Sequence, residues 1–143
     1  MQPRSLPHQG SCVLLVDDDD ASRTALAAFL QEEGLAVVEA RDGLEALAAA
    51  RRWDPAVIVL DLVMPRMNAW GFAAAYRREM PEAAPIVVLS GVVRDPARIA
   101  AETGAVEVLA KPVALEQLVG VVRDLLQRHQ QAQEEPPAER RAS

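Results

Sequence analysis

Four consecutive aspartates, Asp17 to Asp20, end the stretch VLLVDDDD near the start of the chain. Adjacent carboxylates repel one another, and each raises the pKa of its neighbours unless a cation is present. A solvated loop that caps the next helix would need no ligand, because aspartate is a favoured N-cap residue. A divalent cation is the alternative, and the rest of the sequence decides between the two.

Other polar residues that could take part in chemistry stand at the ends of later apolar runs. Asp61 ends VIVLD, Ser90 follows IVVL, and Lys111 follows VLA. Taken singly, they read as a loop acid, a turn residue and a surface charge. If the runs are parallel strands, however, their carboxyl ends share one edge of the sheet, where ligands bind in such folds. The joint placement therefore favours one site that also includes Asp17 and Asp18.

The chemistry that suits this set is phosphoryl transfer assisted by a metal. Three carboxylates that meet are costly unless they hold a hard divalent cation, and Mg²⁺ is commonly shared with phosphate oxygens. A lysine offers a point charge, and a serine offers a hydroxyl donor, to a phosphoryl oxygen. A carboxylate can itself be the nucleophile and form an aspartyl phosphate. In this interpretation Asp17 and Asp18 hold metal, while Asp19 and Asp20 begin the following helix.

The elements that must position these residues are short apolar runs that alternate with helical patterns. Runs that are apolar throughout are typical of strands buried on both faces. The predicted strands are 12–16, 35–40, 56–60, 86–89 and 106–109. The predicted helices are 21–33, 43–53, 70–80, 96–102 and one from residue 114, and Asp42 with Glu45 resembles a capping box for the second helix. This alternation predicts an α/β fold, a doubly wound five-stranded parallel sheet with helices on both faces.

Composition and charge narrow the possible functions. The chain has 143 residues, half of them hydrophobic and a quarter charged, which fits one globular domain. A net charge of −6, with no cluster of basic residues larger than a pair, argues against a nucleic-acid surface. Cys12 is the only cysteine, which excludes an intrachain disulfide. The early apolar run CVLLV is too short for a signal peptide or a membrane span, so we expect a cytoplasmic protein without membrane contact.

Polar, proline-containing segments flank the predicted domain. Residues 1–10 are expected to be a flexible leader and residues 129–143 a disordered polar tail, because neither can bury enough apolar surface to offset its ordering entropy. The folded domain is therefore predicted at residues 11–128. Since only a polar tail follows the last helix, we expect no output domain.

Four segments of the chain, VLLVDDDD, VIVLDLVMPRMNAWGF, IVVLSG and VLAKP, resemble the signatures of the response-regulator receiver domain of two-component signalling. The resemblance covers residues 11–128 and implies a flavodoxin-like sheet in the order 2-1-3-4-5. It also implies a phosphoryl group taken from a histidine kinase or a histidine phosphotransfer protein. A stand-alone domain of this kind, similar to the chemotaxis regulators, would signal through protein contacts, usually at the fourth helix, fifth strand and fifth helix, here approximately residues 94–128.

The resemblance also assigns roles to the residues at the predicted strand ends. Asp61 matches the phosphoacceptor, and Asp17 and Asp18 match the acidic pair that holds Mg²⁺. Ser90 and Lys111 match the hydroxyl and the lysine that contact the phosphoryl group. The backbone carbonyl of Val63 is expected to join the metal ligands, and the Lys111–Pro112 peptide bond is expected to be cis.

Two positions depart from the family pattern. Ala69 stands where the loop after the phosphoacceptor usually has glycine, which matters if that backbone needs a positive φ. Val108 stands three residues before the lysine, where the family usually has an aromatic residue that moves in concert with Ser90.

Val63 and Val92, each the second residue after a site residue, cannot hold an attacking water by a side-chain hydrogen bond. A long-lived phosphorylated state is therefore expected.

Two other interpretations remain open. A haloacid-dehalogenase-like phosphatase would use Asp17 as nucleophile and Asp19 as general acid, but it needs an acidic metal pair after Lys111, where only Glu116 and Asp124 precede the tail. A receiver-like interaction module that does not respond to phosphate would explain the two departures. The intact set of site residues favours the phosphoacceptor, so we expect a signalling protein and not an enzyme.

Overall fold

Five strands of one parallel sheet alternate along the chain with five helices. The structure is a computed structural model that describes residues 11–91 and 95–134. The sheet order is β2-β1-β3-β4-β5 and all four strand pairings are parallel. The predicted doubly wound fold is therefore confirmed. The elements are β1 Val13–Val16, α1 Asp20–Glu32, β2 Val37–Ala40, α2 Gly43–Trp53, β3 Val57–Asp61, α3 Ala69–Glu79, β4 Ile86–Ser90, α4 Pro96–Thr103, β5 Glu107–Ala110 and α5 Leu115–Glu134.

Two apolar layers hold the sheet from either side. Successive residues of a strand point to opposite faces, so the uniformly apolar central strands contribute to both layers. Leu14 and Leu60 pack with Phe72 in the layer beneath α2, α3 and α4. Leu15 packs with Leu118 in the layer beneath α1 and α5. Since β1, β3 and β4 are buried along their whole length, the strand ends that carry the candidate site stand on a rigid base.

Short polar side chains begin the helices that leave the site edge. Asp19 caps α1 by accepting a hydrogen bond from the Ser22 N–H, so Asp19 and Asp20 begin this helix as predicted. Asp42 caps α2 by accepting from the Glu45 N–H, which is one half of the predicted capping box. The other half differs, because the Glu45 carboxylate accepts from the N–H of Arg41 and not from that of Asp42.

The last helix is longer than predicted. It continues to Glu134, so the prediction of a disordered segment from residue 129 is wrong for residues 129–134. The polar composition of residues 129–134 led to the wrong prediction. These side chains bury little apolar surface, but a helix that has already formed on an apolar stripe is extended at a small cost in free energy. No helix-breaking residue intervenes before Pro136. An ion pair between Asp124 and Arg128 at 3.1 Å supports the turn of α5 directly before this extension. The predicted leader, Val92 and residues 135–143 lie outside the described residues.

The start of α2 lies directly against the loop that follows β3. The Gly43 N–H donates to the Met67 carbonyl at 3.2 Å, and a side chain at Gly43 would overlap the Met67 carbonyl oxygen and side chain. Gly120, in the middle of α5, is exposed and has no neighbour where a methyl group would be added. These two glycines therefore differ in what surrounds them, and also in position, because Gly43 is the first residue of α2 and Gly120 lies inside α5.

We expect Gly43→Ala to destabilise the fold by about 1–3 kcal/mol, because the added methyl group forces the β3–α3 loop away from α2. Gly120→Ala is the matched control, and it should stabilise the fold by up to about 1 kcal/mol through helix propensity alone. Urea unfolding followed by circular dichroism measures both. Equal effects of the two substitutions would contradict the close packing at Gly43.

Candidate functional site

The sheet brings the predicted site residues to one edge. Asp61 is the last residue of β3 and Ser90 the last of β4, while Asp17 follows β1 and Lys111 follows β5. The parallel register pairs Asp61 with Leu89 and Ser90 with Ala110, so the neighbouring strands end at the same level. This placement follows from the apolar runs themselves, since each strand ends where its run meets a polar residue.

Three carboxylates form the centre of the site. One oxygen from each of Asp17, Asp18 and Asp61 lies within 4.8 Å of the others. Asp17 and Asp61 are buried, with 2% and 7% of their surface exposed, and Asp18 is exposed. The Asp17 carboxylate also accepts a hydrogen bond from the Asp19 N–H at 2.9 Å, which orients it. The cluster thus opens to solvent on the side of Asp18.

Lys111 supplies the positive charge that faces this cluster. Its Nζ atom lies 2.8 Å from Oδ1 of Asp61. Burial raises the pKa of Asp61, and the charges of Asp17 and Asp18 raise it further, while Lys111 opposes both effects. Burial also opposes the charge of Lys111, but the contact with Asp61 outweighs it and raises the lysine pKa. The ion pair therefore favours an ionised carboxylate in a place where burial disfavours one.

Ser90 and Val63 complete the predicted set in different ways. Ser90 is buried at the end of β4, and its carbonyl accepts a hydrogen bond from the Lys111 N–H at 2.8 Å, which ties the lysine to the strand beside Asp61. Val63 lies in the loop between β3 and α3, with 66% of its surface exposed. The Lys111–Pro112 peptide bond is cis, as predicted.

The two departures from the family pattern have clear structural consequences. Ala69 is the first residue of α3 and is fully buried, while the positive φ of this loop, 65°, falls on Arg66. The glycine expected at position 69 is therefore not required by the backbone. Val108 is half-buried and packs against the layer beneath α2, α3 and α4. A small side chain fixed in that layer cannot take the place of a mobile aromatic ring.

One residue that sequence reasoning missed lies behind the carboxylates. Arg23 on α1 is buried, and it donates to the Asp17 carbonyl at 2.8 Å, to Asp20 at 2.7 Å and to Glu39 at 3.2 Å. It thereby fixes the backbone from which Asp17 projects. The available signal was its spacing, because Arg23 stands three residues before the apolar Leu26 and therefore shares its face of α1.

The donor set fits a hard divalent cation. Three carboxylates carry more negative charge than Lys111 neutralises, and all the ligand atoms are oxygens. Such a set suits Mg²⁺, which prefers oxygen ligands and binds through a few carboxylates while keeping several waters. The exposed position of Asp18 leaves the room that those waters require.

Comparison with known proteins points to one family. The sequence matches the family described as response regulator receiver domain over residues 13–123. Response regulator MprA of Mycobacterium leprae is 38% identical over 117 residues, which are 81% of this chain and 51% of that protein. The alkaline phosphatase synthesis transcriptional regulatory protein SphR of Synechococcus elongatus is 35% identical over 138 residues, which are 90% of this chain and 53% of that protein. This chain thus spans about half the length of these curated relatives.

Solved structures show the same architecture. The receiver domain of Francisella response regulator 1452 superposes with a TM-score of 0.76 at 27% identity, over 82% of this chain and 98% of that chain. Chemotaxis response regulator CheY4 of Vibrio cholerae superposes with a TM-score of 0.72 at 32% identity, over 80% of this chain and 98% of that chain. Across residues 11–91 and 95–134, none of the helices has the length and apolar character needed to cross a bilayer.

We expect Asp61→Asn to raise the stability of the metal-free protein at pH 7. The raised pKa of Asp61 means that the folded chain holds this proton at a higher pH than the unfolded chain does. The wild type therefore loses stability, relative to the variant, as pH rises through the raised pKa, and the difference disappears below the ordinary pKa of aspartate. Urea unfolding in the presence of EDTA at several pH values measures this difference.

The comparison isolates Asp61, because both proteins contain the same other carboxylates. Among these, Asp42, Glu45 and Glu79 have lowered pKa values, which make stability change with pH in the opposite direction, and their contributions cancel between the two proteins. An Asp61→Asn variant that is less stable than the wild type at pH 7, or a difference that grows as pH falls, would contradict the raised pKa.

Proposed function

This chain belongs to the response regulator receiver domain family, and we propose that Asp61 accepts a phosphoryl group from a histidine kinase or a histidine phosphotransfer protein. The reaction depends on Mg²⁺, and the phosphorylated chain signals through protein–protein contacts in the cytoplasm. One observation carries the proposal: Asp61 is buried at the end of β3 with the Lys111 ammonium 2.8 Å from its carboxylate and the acids Asp17 and Asp18 beside it.

In the transfer step, a carboxylate oxygen of Asp61 attacks the phosphorus atom of the phosphohistidine. A P–O bond forms and the P–N bond breaks, so the donor imidazole leaves with the electron pair. The attacking group must be ionised, and the contact with Lys111 favours that form. Little proton chemistry is required, so positioning and charge stabilisation are the main contributions of the protein.

The remaining site residues act on the charge of the phosphoryl group. Asp17, Asp18 and Asp61, with the Val63 carbonyl, would hold Mg²⁺, which neutralises negative charge on the phosphoryl oxygens when it is bound. Formation of the aspartyl phosphate removes the carboxylate charge that Lys111 faces, so the ammonium can contact a phosphoryl oxygen instead. The Ser90 hydroxyl supplies a neutral donor at the neighbouring strand end.

The signal leaves through the face around α4, β5 and the start of α5. Val106, directly before β5, and Leu115, the first residue of α5, are large apolar residues that are 53% and 38% exposed, and a partner that binds along these elements would cover such side chains. Val108 packs against the apolar layer and has no aromatic ring, so a signal from Ser90 to this face would have to travel without an aromatic switch. The same packing favours a second candidate, an interaction module that binds its partner without phosphorylation.

A phosphatase of the haloacid-dehalogenase type is not supported. Glu116 and Asp124 are both exposed on α5, and among the described residues neither joins the carboxylate cluster. That mechanism also leaves Asp61 without a role, although Asp61 is the acid that Lys111 contacts. We therefore propose a phosphoacceptor and not an enzyme that turns over a substrate.

We expect acetyl phosphate with MgCl₂ to label the wild type with about one phosphoryl group per chain and to leave Asp61→Asn unlabelled, because Asp61 is the nucleophile. Asp54→Asn is the matched control. Asp54 is an exposed acid in the left-handed conformation that asparagine also tolerates, and it should leave labelling unchanged. Intact-protein mass spectrometry gives the stoichiometry. Equal labelling of Asp61→Asn would refute the assignment of the phosphoacceptor. Absence of labelling in the wild type would favour the interaction module that does not respond to phosphate. In a separate assay with an aryl phosphate as substrate, continued release of phosphate would indicate an enzyme.

We expect Val63→Asn to shorten the lifetime of the phosphorylated state by about tenfold, because an amide can position a water for attack on phosphorus and an aliphatic side chain cannot. The side chain of Val63 is 66% exposed, so the change costs little packing. Val106→Asn, at a valine that is 53% exposed and directly precedes β5, is the control and should not alter the decay. Equal or slower decay in Val63→Asn would contradict the expectation. The other predicted position, Val92, lies outside the described residues.

A further inference from the structure

The loop between β3 and α3 is tied to the start of α2 by an ion pair. Nε of Arg66 donates to Oδ2 of Asp42 at 2.8 Å, and a second guanidinium N–H contacts the same oxygen. Asp42 is buried, with 5% of its surface exposed, and its other oxygen caps α2 through the Glu45 N–H. Burial raises the pKa of Asp42, but the Glu45 N–H and the Arg66 guanidinium together lower it, so the carboxylate is charged at neutral pH.

Arg66 has a backbone conformation that it does not favour. Its φ angle is 65°, in the left-handed region where a residue with a β-carbon is uncommon and persists only when surrounding contacts hold it. The surrounding contacts are the ion pair with Asp42, the hydrogen bond from the Gly43 N–H to the Met67 carbonyl and, within the loop, the hydrogen bond from the Met67 N–H to the Pro65 carbonyl at 2.7 Å. The tip of the loop is therefore held by contacts from α2 as well as by a hydrogen bond of its own backbone.

Val63 lies between this tip and the base of the loop. At the base, the Leu62 N–H donates to the Leu89 carbonyl at 3.0 Å, and the Leu62 carbonyl accepts from the Ala69 N–H at 3.4 Å. Val63 is 66% exposed, so its own side chain packs little, whereas its neighbours Leu62 and Met64 are buried in the apolar layer beneath α2, α3 and α4. The direction of the Val63 carbonyl therefore depends on the packing of these two neighbours together with the contacts that hold the tip of the loop.

We propose that Asp42 and Arg66 are positioning residues for the metal site: their ion pair holds the β3–α3 loop in the conformation that presents the Val63 carbonyl to Mg²⁺. This inference rests on the proposed function, because it needs a metal held by Asp17, Asp18 and Asp61. Asp42 and Arg66 lie outside the carboxylate cluster, and they would change the metal affinity through the geometry of the backbone.

A positioning role and a purely electrostatic role of the ion pair predict different changes in Mg²⁺ affinity when one charge is removed. Removal of the Arg66 charge should strengthen Mg²⁺ binding if only long-range charge matters, and removal of the Asp42 charge should weaken it. If the ion pair positions the loop, either substitution releases the same contact and both weaken binding. The double variant should then bind no more weakly than either single variant, because the pair is already lost in each.

The test is the affinity for MgCl₂, measured at constant ionic strength by tryptophan fluorescence, since Trp70 lies in the first turn of α3 beside the loop. We expect Asp42→Asn, Arg66→Ala and the double variant each to raise the Kd by about tenfold, the lower end of the range for partners outside the ligand set. Asparagine retains the N-cap of α2, so Asp42→Asn removes the ion pair and not the helix start. Arg66→Lys keeps the charge with fewer donors and should fall between wild type and Arg66→Ala.

Arg51→Ala and Glu79→Gln are the matched controls. This ion pair, at 2.6 Å, also joins α2 to α3, but it lies at the far ends of both helices, and its loss should leave the Kd unchanged. Urea unfolding shows that each variant is folded at the temperature of the titration. A tighter Kd in Arg66→Ala, or an unchanged Kd in both single variants, would overturn the positioning role while leaving the metal site in place. Binding that is absent in the wild type, or undiminished in Asp17→Ala Asp18→Ala, would overturn the metal site itself.

Discussion

The candidate site depends on three carboxylates that are held together at the end of a buried parallel sheet. Asp17, Asp18 and Asp61 place an oxygen each within 4.8 Å of one another, although like charges at that distance repel and burial disfavours the charge of Asp61. A cluster of this kind persists only on a base that cannot relax. The strands beneath it are buried on both faces between two apolar layers, so the buried Asp17 and Asp61 cannot separate without disrupting the core, while Asp18 is exposed.

The neighbouring charges limit this repulsion without removing it. Lys111 neutralises part of the charge at Asp61, and Arg23 anchors the Asp17 carbonyl from behind while it pairs with Asp20 and Glu39. The excess of negative charge that remains is what the proposed divalent cation would neutralise, and a phosphoryl group would contact that cation. In the proposed function, the energetic cost of the cluster in the free protein would therefore contribute to its affinity for ligands, a common relation between strain and function.

Sequence alone predicted the sheet and the edge that carries the site, because apolar runs that end in Asp61 and Ser90 define both the strands and their polar ends. Contacts between distant parts of the chain could not be predicted from the sequence. The ion pair of Arg66 with Asp42 joins residues in different loops, and the positive φ of Arg66 has no signal in its residue type. The extension of α5 to Glu134 was also missed, since hydrophobic periodicity reports burial and not where a polar helix stops.

The central claim is that these carboxylates hold a divalent cation beside a phosphoryl group on Asp61. A crystal structure with MnCl₂ and beryllofluoride, which imitates a phosphoryl group, tests it most directly through the anomalous signal of manganese. We expect a manganese peak bound by Asp17, Asp18, Asp61 and the Val63 carbonyl, with beryllofluoride bonded to Asp61 and contacted by Lys111. Manganese bound elsewhere, or beryllofluoride bonded to another acid, would show that the proposed metal and phosphoacceptor sites are wrong.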